Sequence, residues 1–173
     1  ISSARKQISP DEWRDSCSAI QYRPFDMRRI AYHPAIVHSM RNPVMSQLAD
    51  SDNFALLVCR QQISPGFSHV FVTRGLYDCC CVSNRSRENT NGFPLFVRSK
   101  GTLFDEKRPN FYSETVLKLV PSKFSQSDSN LIENVDFAND LICYVYAQLH
   151  SPTYRVRYRD FLQRGYPRVF KAS

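Results

Sequence analysis

The sequence predicts an α+β fold, with a mixed or antiparallel central sheet and a C-terminal helical hairpin. Three observations carry this prediction. Four short runs between residues 54 and 98 are rich in β-branched, aromatic and aliphatic residues and are bounded by turn residues, which is typical of strands. A polar, Ser-rich segment, 121–130, then interrupts the hydrophobic pattern. Beyond it, apolar residues recur at helical spacing on both sides of a Ser-Pro break.

The four runs define the predicted central sheet, with strands at 54–60, 68–73, 77–83 and 93–98. Upstream, Ser9 and Pro10 resemble a capped helix start, so we expect a short helix to about residue 18 with Trp13 in the core. Two further strands are predicted at 19–24 and 28–32, and short helices at 44–49 and 113–120. Asp26 lies between Arg23 and Arg28, which predicts an ion pair that fixes a turn; alternatively, one arginine reaches a phosphate.

The predicted hairpin consists of helices at 136–150 and 152–163. Ser151 is expected to cap the second helix, and Pro152 suits its first turn. Helices joined so tightly are expected to pack together against the sheet. We therefore expect a strand-rich part, 1–125, with a helical part, 126–173, packed on it within one compact domain.

Length and composition allow one domain with a real core, since 42% of the 173 residues are hydrophobic. No apolar run is long enough to cross a membrane and no signal peptide opens the chain, so we expect a cytoplasmic protein without a membrane partner. The net charge of +7 favours a polyanionic partner. Basic residues concentrate between 154 and 171, although a solvated helix face would give the same pattern.

The six cysteines, at positions 17, 59, 79, 80, 81 and 143, contain no Cys-x-x-Cys pair. We interpret them as reduced, buried thiols. In a strand, Cys79 and Cys81 would share one face and Cys80 the other. The four histidines are not spaced to complete a zinc site with the cysteines, so no metal site is predicted.

Catalytic motifs are missing from the sequence. It contains no methyltransferase Asn/Asp-Pro-Pro-Tyr/Phe segment, no phosphate-binding glycine loop and no Gly-x-Ser-x-Gly elbow. Asp105-Glu106-Lys107 matches the acid-x-Lys pair of metal-dependent nucleases, but such a short match arises by chance in most proteins. No catalytic residue is therefore predicted.

Polar side chains of the types that can contact base edges follow or precede the predicted strands. Arg forms bidentate contacts with guanine, and Asn and Gln form them with adenine. The candidates for base reading are Arg60, Gln61, Gln62, Arg74, Asn84, Arg85, Arg87 and Asn89. The candidates for phosphate binding are Arg98, Lys100, Lys107, Arg108, Arg155 and Arg159. The alternative for each is an ordinary exposed surface residue.

Four segments carry a family resemblance: YRPFDMR from residue 22, ALLVCRQ from 55, FPLF from 93 and YVYAQLHSPTYR from 144. Together they resemble the C-terminal specificity region of type ISP and related single-chain restriction–modification enzymes, over roughly residues 13–169. The first segment, 22–28, and the end of the last one, 150–155, are expected to be fold determinants rather than base readers.

The resemblance implies that this region is the target recognition domain of a longer polypeptide. In such enzymes a nuclease, a helicase-like motor and an adenine-N6 methyltransferase precede it. Its implied partners are double-stranded DNA and the methyltransferase domain. S-adenosylmethionine, ATP and Mg²⁺ are expected for the full-length enzyme, and no cofactor is expected in this region.

Two other functions fit the sequence. A docking module would contact the methyltransferase through an exposed aromatic patch of Tyr77, Phe111, Tyr112 and Tyr166 and would read no bases. An RNA-binding domain would stack bases on sheet aromatics such as Phe71 and Tyr77, which requires an open sheet face.

Overall fold

The computed structural model describes residues 8–49, 52–98, 107–119 and 134–171. Within these ranges the helices are α1 (Pro10–Asp15), α2 (Asn42–Met45), α3 (Ser113–Leu119), α4 (Val135–His150), α5 (Pro152–Arg157) and α6 (Arg159–Leu162). The strands are β1 (Cys17–Arg23), β2 (Asp26–Ala31), β3 (Ala55–Cys59), β4 (Val70–Thr73), β5 (Leu76–Tyr77), β6 (Thr90–Pro94), β7 (Phe96–Arg98) and β8 (Lys107–Pro109). This mixture confirms the predicted α+β class.

The strands form three small sheets instead of one central sheet. The first has the order β2-β1-β5 and is mixed, because β1 runs antiparallel to β2 and parallel to β5. The second has the order β4-β3-β6 and is antiparallel throughout. The third is the pair β7-β8. The second sheet lies between two core clusters.

Strand β3 shows this directly, because all five of its residues are buried. Successive side chains of a strand point to opposite faces. Ala55, Leu57 and Cys59 join the core cluster that includes β5 and α2, whereas Leu56 and Val58 join the cluster that includes the C-terminal helices. Of the two aromatic residues that an RNA-binding domain would use, Tyr77 is buried in the first cluster and Phe71 is packed against it, so neither ring is free for bases to stack on.

The C-terminal hairpin is confirmed. Asn134 caps α4, its side chain accepting hydrogen bonds from the N–H groups of Asp136 and Phe137. The Ser151 hydroxyl accepts from Tyr154 N–H at the start of α5, as predicted. The predicted second helix is interrupted at Tyr158, where φ is −111°. Leu149, Tyr154 and Leu162 from the three helices pack in one cluster against the second sheet.

Three local predictions are wrong. The strand expected at 77–83 ends at Tyr77, because the Asp78 side chain accepts a hydrogen bond from Cys80 N–H and turns the chain. The strand expected at 93–98 is divided at Leu95, where the chain passes from the second sheet to the third. Trp13 is 50% exposed and is not a core anchor, because α1 buries none of its residues.

The turn between β1 and β2 contains the predicted ion pair only in part. Arg28 donates to both carboxylate oxygens of Asp26. Its Nε lies 3.3 Å from Oδ1 and 3.1 Å from Oδ2, and its Nη2 lies 2.9 Å from Oδ2. Arg23 pairs instead with Asp78, at 3.0 Å. The guanidinium groups of Arg23 and Arg28 both lie 3.9 Å from the centre of the Tyr22 ring.

The Ser-rich segment 121–130 lies outside the described residues, so the division into 1–125 and 126–173 stays a prediction. No helix in the described ranges has the length and apolar character that crossing a membrane requires.

Candidate nucleic-acid interface

The register of the second sheet brings two polar loops to one end of the molecule. Strand β3 is antiparallel to both neighbours, with Val58 opposite Val70 and Cys59 opposite Thr90. The loop after β3, residues 60–69, and the loop before β6, residues 83–89, therefore leave the sheet side by side. We call their exposed polar residues the rim: Arg60, Gln61, Asn84, Arg85, Arg87 and Asn89.

Glu88 joins the two loops. Its carboxylate has no solvent exposure and accepts hydrogen bonds from the N–H groups of Ile63 at 2.5 Å and Ser64 at 2.7 Å. It also accepts from the hydroxyl groups of Ser64 and, at 2.5 Å, Ser83. His69 Nε2 lies 3.6 Å from it. One side chain thus fixes the first loop to the second.

The charge of Glu88 is strongly stabilised. Burial would raise the pKa of its carboxyl, but the hydrogen bonds from Ser83, Ser64 and Ile63 outweigh that effect and lower the pKa to about 2. Burial lowers the pKa of His69, as does the nearby Arg85, against the opposing effect of Glu88. Glu88 is the only acidic residue of either loop, and because it is buried the rim presents three guanidinium groups and no carboxylate.

Sequence reasoning missed Glu88. It is an acid inside a polar, turn-rich run, and that context usually indicates an exposed residue. The donors that hold it come from positions 63, 64 and 83, so only the folded chain brings them together.

Two of the predicted base readers lie elsewhere. Gln62 is only 4% exposed, its N–H donates to Gln163 O at 3.1 Å, and its amide group faces the interior. Neither amide atom has a partner within the described residues. Arg74 lies at the opposite end of the second sheet, since it follows Thr73, which pairs with the first residue of β3. Gln62 is therefore buried and not exposed at the rim, and Arg74 does not belong to the rim.

Three of the predicted phosphate-binding residues accompany Arg74 at that opposite end. Arg98 and Lys107 face each other across the third sheet, and Arg108 is the next residue. Lys107 donates to the backbone carbonyl oxygen of Asp52 at 3.3 Å, and Arg74 lies 3.6 Å from the Asp52 carboxylate. We call Arg74, Arg98, Lys107 and Arg108 the distal basic group. Lys100 lies outside the described residues, as do Asp105 and Glu106 of the acid-x-Lys match.

The last two phosphate candidates lie on the C-terminal helices. Arg155 holds the hairpin together: its Nε donates to Leu149 O at 2.7 Å, and one of its nitrogens lies 3.0 Å from His150 Nδ1. Its guanidinium also lies 5.7 Å from the centre of the Phe67 ring. These contacts occupy Arg155 within the fold. Arg159 is exposed and lies 3.6 Å from Asp160.

The aromatic patch expected of a docking module does not form. Tyr77 is 2% exposed and belongs to the core. The Tyr166 ring packs edge-on against Phe93, with centroids 5.6 Å apart, and Phe111 packs beside Leu95 and Phe96. Of the four aromatic residues, Tyr112 is the most exposed, at 84%, and it forms no patch with Tyr77.

Arg87 has an unusual backbone conformation for an arginine. Its φ is +77°, in the left-handed region that costs other residues about 1–2 kcal/mol relative to glycine. Arg87→Gly should therefore keep the free energy of unfolding within about 1 kcal/mol of the unchanged chain, because relief of strain offsets the greater freedom of the unfolded glycine. Urea unfolding measures this, and a loss well above 1 kcal/mol would contradict it. The variant offers a way to remove one rim cation without unfolding the loop.

Comparison of the whole chain with models of known protein families identifies its family. The sequence model of the Type ISP C-terminal specificity domain matches residues 1–171. The chain belongs to this family. The match confirms the family that the four sequence segments resemble, and it confirms the assignment as a specificity domain.

Three solved structures share the fold of this specificity domain. The cryo-EM structure of a DrdV–DNA complex has a TM-score of 0.69 and 18% identity, over 92% of this chain and 14% of that one. The ATP-dependent Type ISP restriction–modification enzyme LlaBIII bound to DNA has a TM-score of 0.60 and 20% identity, and the match covers 91% of this chain and 10% of that one. A nuclease-deletion mutant of the Type ISP restriction–modification enzyme LlaGI, in complex with a DNA substrate mimic, has a TM-score of 0.62 and 19% identity. The match covers 89% of this chain and 12% of that one. The specificity domain thus spans 10–14% of these chains, and no curated protein sequence matches it.

Proposed function

We propose that this specificity domain selects a DNA sequence by reading base edges with the rim. The observation that carries the proposal is the shared end of the two loops, where Glu88 fixes them to each other. The rim combines three guanidinium groups with the amides of Gln61, Asn84 and Asn89. Each good bidentate contact from such a group discriminates between bases by about 1–3 kcal/mol.

Loops that are fixed to each other suit base reading, because each side chain of the rim must contact one edge of one base. Mobile loops lose conformational entropy on binding, whereas loops fixed to each other by buried hydrogen bonds lose less. The buried position of Glu88 also leaves no carboxylate at the rim to repel phosphates. The complexes of DrdV, LlaBIII and LlaGI with DNA support DNA as the partner of this chain.

The distal basic group is proposed to hold the phosphate backbone. It is separated from the rim by the length of β3, five residues or about 17 Å. Phosphate contacts fix position without reading sequence, and they make affinity fall steeply with salt. This assigns Arg74 to phosphate contact. Arg159 joins this class if the duplex reaches the hairpin, and Arg155 does not, because its contacts lie inside the hairpin.

The catalytic steps are proposed to belong to other segments of a longer polypeptide. These would supply an adenine-N6 methyltransferase, a motor and an endonuclease, with the methyltransferase as the direct neighbour of this chain in the cytoplasm. S-adenosylmethionine, ATP and Mg²⁺ would bind there. Among the described residues the cluster of possible metal ligands is Asp78, Cys79 and Cys80, and two thiols and one carboxylate do not fit Mg²⁺, which requires oxygen ligands.

Arg85→Ala tests the proposal against a matched control, Arg74→Ala. Duplexes that the chain binds are first selected from a randomised pool, and affinities are then measured by fluorescence anisotropy on the selected duplex and on a scrambled one. Arg85→Ala should weaken binding to the selected duplex by about 5- to 150-fold, which corresponds to about 1–3 kcal/mol. It should change binding to the scrambled duplex much less. Arg74→Ala should weaken both affinities by the same smaller factor and reduce the salt dependence.

Two results would count against base reading by the rim. One is an equal loss on both duplexes for Arg85→Ala, which would make Arg85 a phosphate contact. The other is an unchanged chain that selects no sequence from the pool and shows no salt-dependent binding to duplex DNA, which is the behaviour of the docking module.

A further inference from the structure

We propose that the turn formed by Asp78, Cys79 and Cys80 binds a thiophilic divalent cation with tetrahedral preference, such as Zn²⁺. One carboxylate oxygen and the two sulfur atoms lie within 4.8 Å of one another. This site is independent of the rim and of the proposed DNA reading.

The spacing of the two sulfur atoms carries the proposal. They are 3.7 Å apart. Zinc–thiolate bonds of about 2.3 Å at a tetrahedral angle place two sulfur ligands about 3.8 Å apart. The pair therefore already has the spacing of a tetrahedral dithiolate, and Asp78 supplies a third ligand. Water completes four-coordination, as in zinc sites with one open position.

The turn holds this geometry in place without a metal. Cys80 N–H donates to Asp78 Oδ1 at 2.8 Å, and Cys81 N–H donates to the Asp78 carbonyl at 2.9 Å. Thr90 N–H donates to the Cys79 carbonyl at 2.8 Å, which fixes the turn to the start of β6. In an extended strand neighbouring side chains point to opposite faces, so the two sulfur atoms meet only because the chain turns here.

Charge and surroundings also suit a cation. Two thiolates and a carboxylate carry three negative charges, and a divalent cation together with Arg23 balances them. The Arg23 guanidinium lies 3.0 Å from Asp78 Oδ1, in the position of an outer partner that orients a ligating carboxylate. Cys79 is exposed and Cys80 half-buried, which leaves an approach from solvent. Cys81 is fully buried in the core and takes no part.

The donor set determines the class of ion. Two soft sulfur ligands favour the divalent ions Zn²⁺ and Cd²⁺ over Mg²⁺ and Ca²⁺. A three-residue run of cysteines lacks the Cys-x-x-Cys spacing that marks zinc sites in sequences, and the carboxylate ligand becomes apparent only from the turn.

The test is titration of the reduced 173-residue chain with Zn²⁺ in competition with a chromogenic chelator, and with Cd²⁺ followed by its thiolate absorption band. The unchanged chain should bind one equivalent of each ion and show the Cd²⁺ band. Cys79→Ser and Cys80→Ser should each abolish the band and the chelator-competitive equivalent. Cys143→Ser, which removes an exposed single thiol on α4, should retain both.

The proposal is overturned if the unchanged chain does not compete with the chelator, or if Cys79→Ser still binds one equivalent. Circular dichroism of each variant checks its fold. If Cys80→Ser unfolds, Cys79→Ser decides alone, since the Cys79 side chain is exposed and its sulfur has only Cys80 as a hydrogen-bond partner among the described residues.

Discussion

Glu88→Gln is expected to lower the free energy of unfolding by about 3 kcal/mol at pH 7. Glutamine has the size of a protonated glutamate and carries no charge, so the variant resembles a neutralised Glu88. The fold lowers the pKa of this carboxyl from 4.5 to about 2, and each unit of such a shift corresponds to about 1.4 kcal/mol. For a chain of this length the expected fall in Tm is about 6–12 °C.

The effect has a defined pH dependence. The pKa of Glu88 is lower in the folded chain than in the unfolded one, so its contribution is complete above about pH 4.5 and is lost as the pH falls towards 2. The difference in unfolding free energy between the unchanged chain and Glu88→Gln should therefore shrink steadily over this range. Urea unfolding at a series of pH values measures it.

Glu114→Gln is the matched control, because it makes the same substitution at an exposed position on α3. It should change stability by less than about 0.5 kcal/mol at any of these pH values. If Glu88→Gln behaved like this control, the two loops would not depend on the buried carboxylate. If instead the difference persisted undiminished at pH 2, the cause would be packing rather than charge.

Gly92→Ala is expected to destabilise the chain by about 3 kcal/mol. A Cβ atom at this position of β6 would lie 2.6 Å from Cε1 and Oη of Tyr77 and 2.7 Å from its Cζ. Tyr77 is 2% exposed and packs in the first core cluster, so the ring has little room to move. Overpacking of this kind costs about 1–3 kcal/mol. The hydrogen bond from Gly92 N–H to the Tyr77 hydroxyl, 2.9 Å long, would be disturbed as well, at about 1 kcal/mol.

A double-mutant cycle separates this clash from other effects of alanine. Tyr77→Leu alone should be destabilising, but Gly92→Ala should cost less than about 1 kcal/mol more when added to it. Gly165→Ala is the control, because no atom lies within 4 Å of a Cβ built there. Equal costs of Gly92→Ala in both backgrounds, measured by urea unfolding, would show that the Tyr77 ring is not the obstacle.

The two residues act on neighbouring parts of one structure. Gly92 lets β6 approach Tyr77 of the first sheet, and Glu88, four residues earlier, connects the loop before β6 to the loop after β3. Both contacts fix where β6 begins. Since Arg87 and Asn89 flank Glu88, the position of the rim depends on packing that includes none of the rim's own side chains.

The amino-acid sequence alone predicts the α+β class, the C-terminal hairpin with its Ser151 cap, and the family. These follow from local information: hydrophobic period, turn and cap residues, and short segments in a fixed order. It also placed Arg60, Gln61, Asn84, Arg85, Arg87 and Asn89 in loops at strand ends, because polar runs between hydrophobic ones are loops.

Which of these residues lie together depends on how the strands pair in the folded chain. The antiparallel register of β3 with β4 and β6 joins the loops at 60–69 and 83–89 and sends Arg74 to the other end. The burial of Gln62 and Glu88 depends on partners that are distant in sequence. Cys79 and Cys80 come together at a backbone turn, although their sequence has the pattern of a strand. Hydrophobic period fixes which face of a strand is inside. It does not fix which strand is its neighbour, and the site depends on the neighbours.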